Sequence, residues 1–320
     1  MIRVALIGCG AMGEIVARDV YPAVDATLAA VVDPDADRAA SVARHTGAHA
    51  YGTLAEALAG ERIDAVDIRV PHRLHARVAL EAVGHGRHVL VEKPLATSLG
   101  DAREIVAAAE AAGVVLAVAE NYPHLRAVLD ARRLLAEGRI GRTLAVRAIR
   151  AYRLDGVWAR GWRESDGILL DQGTHQASLI RQLGGPVAAV SAARFRDTVT
   201  LTLRLESGVV AQSLLTWHSP GPWDQAEASV VGTGGRLDVV VDYEGHGGGC
   251  VTWTPDGPRR QTGENYYDSH RSIVDDWLDA VRAGAEPRVP GREGLKDLEV
   301  VMAAAASLDA QGAVIPVGEQ

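Results

Sequence analysis

The first 120 residues alternate apolar runs with helical segments, and this alternation restricts the possible folds more than any other feature of the chain. Ile2–Ile7, Leu28–Val32 and Ala65–Val70 are runs of strand length, and helical segments such as Ala11–Val20 and His72–Val83 separate them. Strands that are mostly apolar along their whole length belong to a parallel sheet with helices on both faces. Because crossovers between parallel strands are right-handed, we predict a doubly wound α/β domain here.

After about residue 122 the pattern changes. Thr198–Leu205 alternates polar and apolar residues throughout, which is typical of a strand with one buried and one solvated face. A length of 320 residues suits two domains. We predict an α/β domain over 1–122 and, over 123–320, an α+β domain for substrate binding and oligomerisation, with a mostly antiparallel open sheet. The further predicted elements of the second domain are strands at Thr143–Ala151, Val209–Trp217, Ala226–Val231, Arg236–Asp242 and Val251–Thr254 and helices at Ala127–Glu137, Ser272–Ala283 and Gly294–Leu308.

A glycine pattern follows the first strand and opens the first helix. Residues 8–13 read G-x-G-x-x-G, a weak signal alone but a strong one between a strand and a helix. Gly8 permits the tight turn, Gly10 lets the backbone approach a pyrophosphate, and Gly13 lets the helix pack on the strand. The helix N-terminus then offers N–H groups and a positive dipole to phosphate. We predict a dinucleotide-binding Rossmann domain whose cofactor contacts include Gly8, Cys9, Gly10, Ala11, Met12 and Gly13.

Asp33 ends the second strand, twenty residues after Gly13. A carboxylate at this point accepts hydrogen bonds from ribose hydroxyls and repels a 2′-phosphate, which favours NAD over NADP. Arg38 lies close enough in sequence to bind a 2′-phosphate, which keeps NADP possible. Alternatively, Asp33 caps the helix that follows Pro34.

The composition limits which partners and which cellular compartment are expected. A net charge of -8 disfavours nucleic acid and anionic membrane as partners, and the chain has no apolar run of membrane-spanning length. The N-terminus enters a strand at once, without a secretory signal pattern. Two cysteines, Cys9 and Cys250, cannot form a metal framework, so we expect no metal and a reducing cytoplasm.

Four separate segments carry a resemblance to a known family. They are the glycine pattern, the stretch VPHRLHARVALEAVGHGRHVLVEKPLA (70–96), the turn ENYP (120–123) and GWRESDGILLDQGTHQASLIRQLGG (161–185). Together they resemble the Gfo/Idh/MocA oxidoreductases, the family of glucose–fructose oxidoreductase and inositol dehydrogenase, over almost the whole chain. Members usually carry a glycine-rich run before a D-x-x-x-H stretch, where this chain has Ser165-Asp166-Gly167. This difference from the family pattern leaves the identity of the substrate open, more than the type of reaction.

The resemblance implies a catalytic set of Lys93, Asp171 and His175. Lys93 and Lys296 are the only lysines of the chain, in which arginine is the usual cationic residue. A lysine at position 93 therefore suggests that a compact ammonium was needed there. An ammonium there positions the substrate oxygen, and Pro94 is expected to follow a cis bond. His175 suits the general base because its reference pKa is near neutral. Asp171 lies four residues earlier, on the same helix face, where it orients the imidazole, although such pairs are also common on helix surfaces.

Other candidates are weaker and have structural alternatives. Pro71, His72 and His75 line the cofactor groove or simply close a loop and pack a helix. Trp162 and Arg163 suit a polyol or a carboxylate, but Trp162 also suits a core. Tyr266, Tyr267 and His270 line the same cleft or are structural. The remaining candidates are Glu92 and Asn121 for the cofactor and Tyr122 for the substrate.

These residues predict an NAD(P)-dependent dehydrogenase or reductase acting on a ring hydroxyl or ketone of a sugar or cyclitol. Two alternatives stay open: a reductase of the same fold with a non-sugar substrate (an imine, a diol or a pigment-like double bond), and a cofactor-sensing protein without turnover. Because one face of the second sheet is left uncovered by its own helices, we also predict a homodimer or homotetramer.

Overall fold

The computed structural model describes residues 1–154, 162–219, 225–241, 248–262 and 268–318, and, for residues 162–165 and 225, the backbone alone. Tyr266 and Tyr267 lie outside the described residues. The chain forms two compact units. The first comprises residues 1–120 and 270–295, and the second comprises 121–269 and 296–320.

The first unit contains a six-stranded parallel sheet with the strand order β3-β2-β1-β4-β5-β6. This order confirms the predicted doubly wound sheet, and its topological switch point lies between β1 and β4, where open α/β sheets bind ligands. The elements are β1 (Ile2–Ile7), α1 (Ala11–Ile15), β2 (Ala26–Val32), α2 (Ala36–Thr46), β3 (His49–Tyr51), α3 (Leu54–Gly60), β4 (Ala65–Ile68), α4 (His75–Gly84), β5 (His88–Glu92), α5 (Leu99–Ala112) and β6 (Leu116–Ala119).

A helix from late in the chain completes the core of this unit. Helix α8 (Asp268–Ala283) places Trp277, Leu278 and their neighbours against Val4 and Leu90 of the sheet. Sequence reasoning assigned all of 123–320 to the second domain, whereas residues 270–295 belong to the first unit. The reason is physical: α8 is amphipathic, and its apolar face is buried on the parallel sheet.

The second unit contains a nine-stranded sheet with the order β14-β13-β12-β11-β7-β10-β9-β8-β15. Every described pair is antiparallel except β7 with β10, in agreement with the predicted mostly antiparallel sheet. The elements are α6 (Arg126–Ala136), β7 (Thr143–Ala151), α7 (Trp162–Gly184), β8 (Val187–Phe195), β9 (Thr198–Leu205), β10 (Val210–Thr216), β11 (Gln225–Gly232), β12 (Gly235–Val241), β13 (Gly249–Thr254), β14 (Gly257–Thr262), the part of α9 (Gly291–Asp309) that follows residue 295, and β15 (Ile315–Pro316).

The two faces of this sheet differ in their surroundings. On one face, residues such as Val146, Leu203 and Ala228 are buried in a core that includes residues of α6 and α7. On the other face, side chains are exposed although several are apolar: Val210, Val231, Val240 and Trp253 are between 42% and 47% exposed. We call this second surface the open sheet face.

Trp277 and Trp253 offer a matched test of this account. Trp277 is fully buried, so Trp277→Ala should leave a large cavity and lower the free energy of unfolding by about 3–5 kcal/mol. Trp253 is 42% exposed on β13, so Trp253→Ala should cost much less. Urea denaturation followed by circular dichroism measures both. Equal losses in the two variants would contradict the placement of α8 in the core of the first unit.

Candidate active site

The turn after β1 has the geometry that a dinucleotide site needs. Gly8 has φ +98°, and a Cβ there would lie 2.6 Å from the carbonyl oxygen of Arg69. A Cβ on Gly13 would lie 1.9 Å from the carbonyl oxygen of Gly8, so only glycine lets the helix approach the strand. At Gly10 a Cβ would meet nothing within 4 Å. This open space beside the start of α1 is where the backbone can receive a pyrophosphate.

Asp33 holds the same turn from the end of β2. Its two carboxylate oxygens accept hydrogen bonds from the backbone N–H groups of Cys9 (2.8 Å) and Asp35 (2.9 Å). The helix cap is Asp35, which accepts hydrogen bonds from the N–H groups of Asp37 and Arg38, so the alternative role of Asp33 as the cap is wrong. Arg38 is paired with Asp35 at 3.1 Å. A carboxylate oxygen has a second lone pair, so Asp33 retains capacity for ribose hydroxyls.

Cys9 is the buried residue of the glycine turn. Burial, reinforced by the negative charge of Asp33, raises the pKa of its thiol to about 12. The thiol therefore stays protonated and unreactive near neutral pH. The contribution of Cys9 to the site is its backbone N–H, which Asp33 fixes.

The connection after β4 carries the two predicted histidines. Pro71 precedes a short 3-10 turn that begins at His72, and the ring of His72 lies edge-on to that of His75 at 5.6 Å. His75 is fully buried, and its two ring nitrogens lie 2.7 Å and 2.9 Å from the carbonyl oxygens of Pro94 and Val70. Burial lowers the pKa of His75, so the ring is neutral at neutral pH and donates its single N–H to one of these carbonyl oxygens. These contacts fit the structural alternative, in which His75 fastens the loop after β5 to the end of β4, and a direct contact of His75 with the cofactor stays a prediction.

Lys93 follows β5 at the carboxyl end of the sheet. It is 9% exposed, and the bond between Lys93 and Pro94 is cis, as expected. The Lys93 N–H donates to Oε2 of Glu92 at 3.0 Å. The carboxylate of Glu92 therefore fixes the backbone of Lys93 through one oxygen and leaves the other oxygen for a different partner.

That partner is Arg69, which the sequence analysis did not single out. Its side chain is 1% exposed and donates to Glu92 at 2.5 Å and to both oxygens of Asp67 at 2.6 Å and 3.3 Å. The hydroxyl of Tyr21 donates to Asp67 at 3.0 Å. Two charged residues inside an otherwise apolar run, at Asp67 and Arg69, were the sequence signal that could have found this cluster.

Charge compensation decides the ionisation of these buried groups. Burial alone would raise the pKa of Glu92, but Arg69, Lys93 and His270 together hold it below its ordinary value. Burial raises the pKa of Asp67 even though Arg69 opposes the shift. Burial would also lower the pKa of Arg69, yet Asp67 and Glu92 outweigh it and raise that pKa. Glu92 therefore carries a full negative charge beside Lys93 at neutral pH.

In the second unit, the other predicted catalytic residues lie on α7. Gly167 (φ 76°) breaks this helix, and the residues after it form a regular segment that carries Asp171 and His175 one turn apart. Both are buried, Asp171 completely and His175 to 5% exposure. The ring of His175 lies 5.2 Å from that of Tyr122, tilted by 32°. The pair is therefore not the surface ion pair that was its alternative.

A hydrogen-bond chain holds Asp171. Its Oδ2 atom accepts from Gln172 at 2.9 Å and from the hydroxyl of Tyr152 at 3.2 Å. The Tyr152 hydroxyl in turn accepts from the indole N–H of Trp217 at 2.8 Å. Tyr152 and Trp217 come from strand ends far from Asp171 in sequence, and no local motif predicts them.

The remaining predicted residues are placed as follows. Asn121 is buried and donates to the hydroxyl of Ser269 at 3.3 Å, and its Oδ1 atom has no hydrogen-bond partner among the described residues. An unsatisfied buried acceptor directly after β6 fits a site for a polar ligand. His270 is buried near Glu92 in the first unit. Trp162 and Arg163 begin α7, but their side chains lie outside the described part of the structure.

The residues of the first unit fit a dinucleotide. The open space at Gly10 and the close packing at Gly8 and Gly13 form a cradle that a side chain would fill. Asp33 stands at the end of β2, where a ribose is bound in such sheets. Among the described residues, no cluster of three or more histidine, cysteine, aspartate or glutamate side chains is arranged to hold a metal ion. None of the described helices is long and apolar enough to span a membrane.

Comparisons with known protein families agree with this geometry. Residues 2–120 match the GFO/IDH/MocA oxidoreductase family with an NAD-binding Rossmann fold, and residues 128–238 match the C-terminal domain of the same family.

Individual relatives extend the match. A 1,5-anhydro-D-fructose reductase of Ensifer adhaerens is 34% identical over 66% of this chain and 68% of its own length. A D-apiose dehydrogenase of Paraburkholderia graminis is 30% identical over 93% of this chain and 85% of its own. Among solved structures, the WlbA dehydrogenase of Bordetella pertussis, in complex with NADH and UDP-GlcNAcA, superposes with a TM-score of 0.85 at 26% identity, covering 100% of this chain and 99% of its own.

Alanine at two of the glycines should separate cofactor binding from folding. Gly10→Ala should keep the melting temperature of the wild type but lower NADH affinity at least tenfold, because its methyl group enters the space reserved for pyrophosphate. Gly13→Ala should lower the melting temperature, because its methyl group collides with the Gly8 carbonyl. Thermal unfolding and NADH fluorescence titration measure the two effects. Wild-type NADH affinity in Gly10→Ala would show that the cofactor lies elsewhere.

Proposed function

Because this chain belongs to the Gfo/Idh/MocA oxidoreductase family, we propose that it transfers a hydride between NAD and a ring hydroxyl or ketone of a sugar or cyclitol. The first unit is an NAD-binding Rossmann domain, and the chain is an oxidoreductase of the dehydrogenase and reductase type. The observation that carries the proposal is the buried acid–base pair on α7, Asp171 with His175, in a helix that otherwise packs as core.

The cofactor is proposed to be held by the glycine turn and by Asp33. NAD accepts or supplies the hydride when it is bound. Asp33 fixes the turn through the Cys9 N–H and offers its remaining lone pairs to the ribose hydroxyls. A 2′-phosphate would meet this buried carboxylate, so NAD is preferred to NADP. Arg38 is paired with Asp35, which weakens its case as a phosphate ligand.

Lys93 is proposed to position the substrate oxygen. Its backbone is anchored by Glu92, so the ammonium can be presented at a fixed point at the end of β5. A compact ammonium donates hydrogen bonds to a hydroxyl or ketone oxygen and stabilises negative charge that develops there. Glu92, whose pKa is held below its ordinary value, provides an anionic carboxylate next to Lys93.

His175 is proposed as the group that takes the hydroxyl proton during oxidation and returns it during reduction. Asp171 is proposed to favour the protonated imidazole from one helical turn away. Gln172 and Tyr152 both donate to Asp171, which fixes the orientation of its carboxylate. Tyr122 stacks against His175 and limits the rotation of its ring.

The substrate class is proposed from the relatives. Those reported above are named for an anhydro sugar and a branched pentose, and a further relative of Bacillus subtilis is named as a scyllo-inositol 2-dehydrogenase that uses NADP, 39% identical over 36% of this chain. The compounds in these three names all carry a ring hydroxyl or ketone group next to other hydroxyls. Trp162 and Arg163 are proposed to contact such a substrate, because an indole stacks on a sugar ring and a guanidinium binds its hydroxyl or carboxylate groups.

The open sheet face is proposed as the surface through which the chain forms a homodimer or homotetramer. Exposed apolar side chains lie on neighbouring strands there: Val231 of β11 pairs with Ala145 of β7, which in turn pairs with Val210 of β10. A patch of this kind on a sheet is a common site of self-association. The two cysteines are unpaired buried thiols, which fits the reducing cytoplasm proposed as the compartment.

The function is tested by a hydride-transfer assay that follows NADH absorbance over a panel of cyclitols, aldoses and anhydro sugars. We expect turnover of at least one of them with NAD, and a loss on the order of 100-fold or more in kcat for Lys93→Arg, since a planar guanidinium cannot occupy the same point as an ammonium. His175→Ala should lose a factor of about 10²–10⁴.

Lys296→Arg is the matched control, because Lys296 is the other lysine of the chain and is exposed on α9. It should turn over like the wild type. The proposal fails if no member of the panel is turned over while NADH still binds. The assignment of Lys93 fails if Lys93→Arg and Lys296→Arg are equally active.

Oligomerisation can be tested on the open sheet face. Light scattering should give the wild type a mass of two or four times 33.8 kDa at micromolar concentration. Val231→Glu should shift this toward the monomer and still fold, because Arg236 lies directly opposite Val231 and can receive the new carboxylate. Val314→Glu, at an exposed valine outside the sheet, is the control and should not change the mass. A monomeric wild type would refute the prediction.

A further inference from the structure

The buried charge cluster beneath the end of β5 extends beyond Glu92, the one member that has a part in the hydride transfer proposed above. It comprises Asp67, Arg69, Glu92 and Tyr21, all in the first unit. Burying a charge in a parallel sheet is costly unless it is paired and hydrogen-bonded, and apolar residues would fill the same volume at no such cost. A cluster of this kind is therefore weak evidence for a purely stabilising role.

The central member, Arg69, joins the ends of two strands. Its Nε and Nη2 atoms donate to the two oxygens of Asp67, on the same strand, and its Nη1 atom donates to Oε1 of Glu92, at the end of β5. A guanidinium presents its donors in a rigid plane, so these contacts fix the carboxylate of Glu92 in direction as well as in distance. The other oxygen of Glu92 then receives the backbone N–H of Lys93.

Arg69 also lies against the cofactor turn. Its backbone N–H donates to the carbonyl of Ile7 at 2.7 Å, and its own carbonyl fills the place where a side chain on Gly8 would be. Its Cβ atom is the nearest side-chain atom to a Cβ built on Gly13, at 3.8 Å. One residue therefore contacts the glycine turn through its backbone and the strand that carries Lys93 through its side chain.

We propose that Arg69 is a positioning residue: through Glu92 it sets the place of Lys93, and so links the cofactor turn to the residue that holds the substrate oxygen. The inference rests on the proposed function of Lys93. It does not make Arg69 a catalytic residue, because its side chain is 1% exposed and reaches neither the solvent nor a ligand.

Electrostatics give the proposal a measurable consequence. The groups facing Glu92 are Arg69, Lys93, His270 and the like-charged Asp67. In the wild type the cations outweigh burial and hold the pKa of Glu92 low. In a variant without Arg69, burial and the negative charge of Asp67 still raise the pKa of Glu92, but only Lys93 and His270 oppose them. The pKa of Glu92 should therefore rise toward neutral pH. Lys93 would then lose its anionic anchor as the pH falls.

The first measurement needs no substrate. Arg69→Met keeps the length of the side chain without its charge. A carboxyl whose pKa is raised in the folded state favours folding when protonated, so the melting temperature of this variant, relative to wild type, should fall as pH rises from about 4.5 to 8. Tyr21→Phe is the matched control: it removes one hydrogen bond from Asp67 but leaves Arg69 on both carboxylates, so its offset should change much less over that range than that of Arg69→Met.

The second measurement is the ratio of variant to wild-type kcat across pH 5.5–8.5, which cancels the titration of His175. For Arg69→Met we expect a loss of at least tenfold at the acid end that recovers as pH rises, with NADH affinity unchanged within about threefold, because Arg69 is not at the surface. Arg69→Lys keeps the charge and should restore a flat ratio at reduced kcat, since one ammonium cannot hold both carboxylates in the same geometry.

If Arg69→Met does not fold, the double variant Arg69→Met/Asp67→Asn removes one of the two stranded carboxylates and leaves Glu92 as the group to titrate. The double variant should show the same loss of kcat, relative to the wild type, at the acid end of the pH range. A flat ratio in folded Arg69→Met or in folded Arg69→Met/Asp67→Asn would overturn the proposal and leave a purely structural ion pair. Failure of the proposed function is distinguishable: the wild type would then turn over no sugar, while the pH-dependent melting of Arg69→Met/Asp67→Asn would still report the ionisation of Glu92.

Discussion

The close approach of the turn after β1 to the end of β4 is the constraint on which the nucleotide-binding unit depends. The Arg69 carbonyl lies where a side chain on Gly8 would project, and the Gly8 carbonyl lies where a side chain on Gly13 would project. Each contact requires a glycine, and together they press the start of α1 onto the sheet. The outward side of the same turn is left free at Gly10. The cradle for a pyrophosphate is therefore a by-product of tight packing behind it.

Much of the fold could be predicted because its patterns are local. The alternation in Thr198–Leu205 matches a strand buried on one face, and β7 runs over Thr143–Ala151 as predicted. Strand β8 (Val187–Phe195) was missed because it is rich in alanine, which has a low preference for strands and offers no alternation. The sequence could not predict that α8 belongs to the first unit either. An amphipathic pattern shows that one face of a helix is buried, but it does not show which sheet that face packs on.

The site divides in the same way. The candidate residues that lie near one another in sequence could be picked out from the sequence: the glycines, Glu92 with Lys93, and Asp171 one helical turn before His175. The residues that hold these side chains in place could not be picked out in this way. Arg69 meets Glu92 across 23 positions, and Tyr152 meets Asp171 across 19. Pairings of this kind depend on which strand ends become neighbours in the folded sheet, and a single sequence carries no periodicity that reveals them. A charged residue inside an apolar strand is a weaker clue, since it shows that a partner exists without identifying it.

Polar contacts also explain how α7 is held in one register on its sheet. Apolar side chains alone would tolerate a shifted helix, but Gln176 accepts from Ser213 of β10, and Gln172 accepts from Arg150 of β7. The Arg150 contact settles the orientation of the Gln172 amide, because the guanidinium can only donate and so faces the amide oxygen. The amide nitrogen is then left to donate to Asp171. A displaced helix would strand these buried groups without partners, so the chain keeps the position that presents Asp171 and His175.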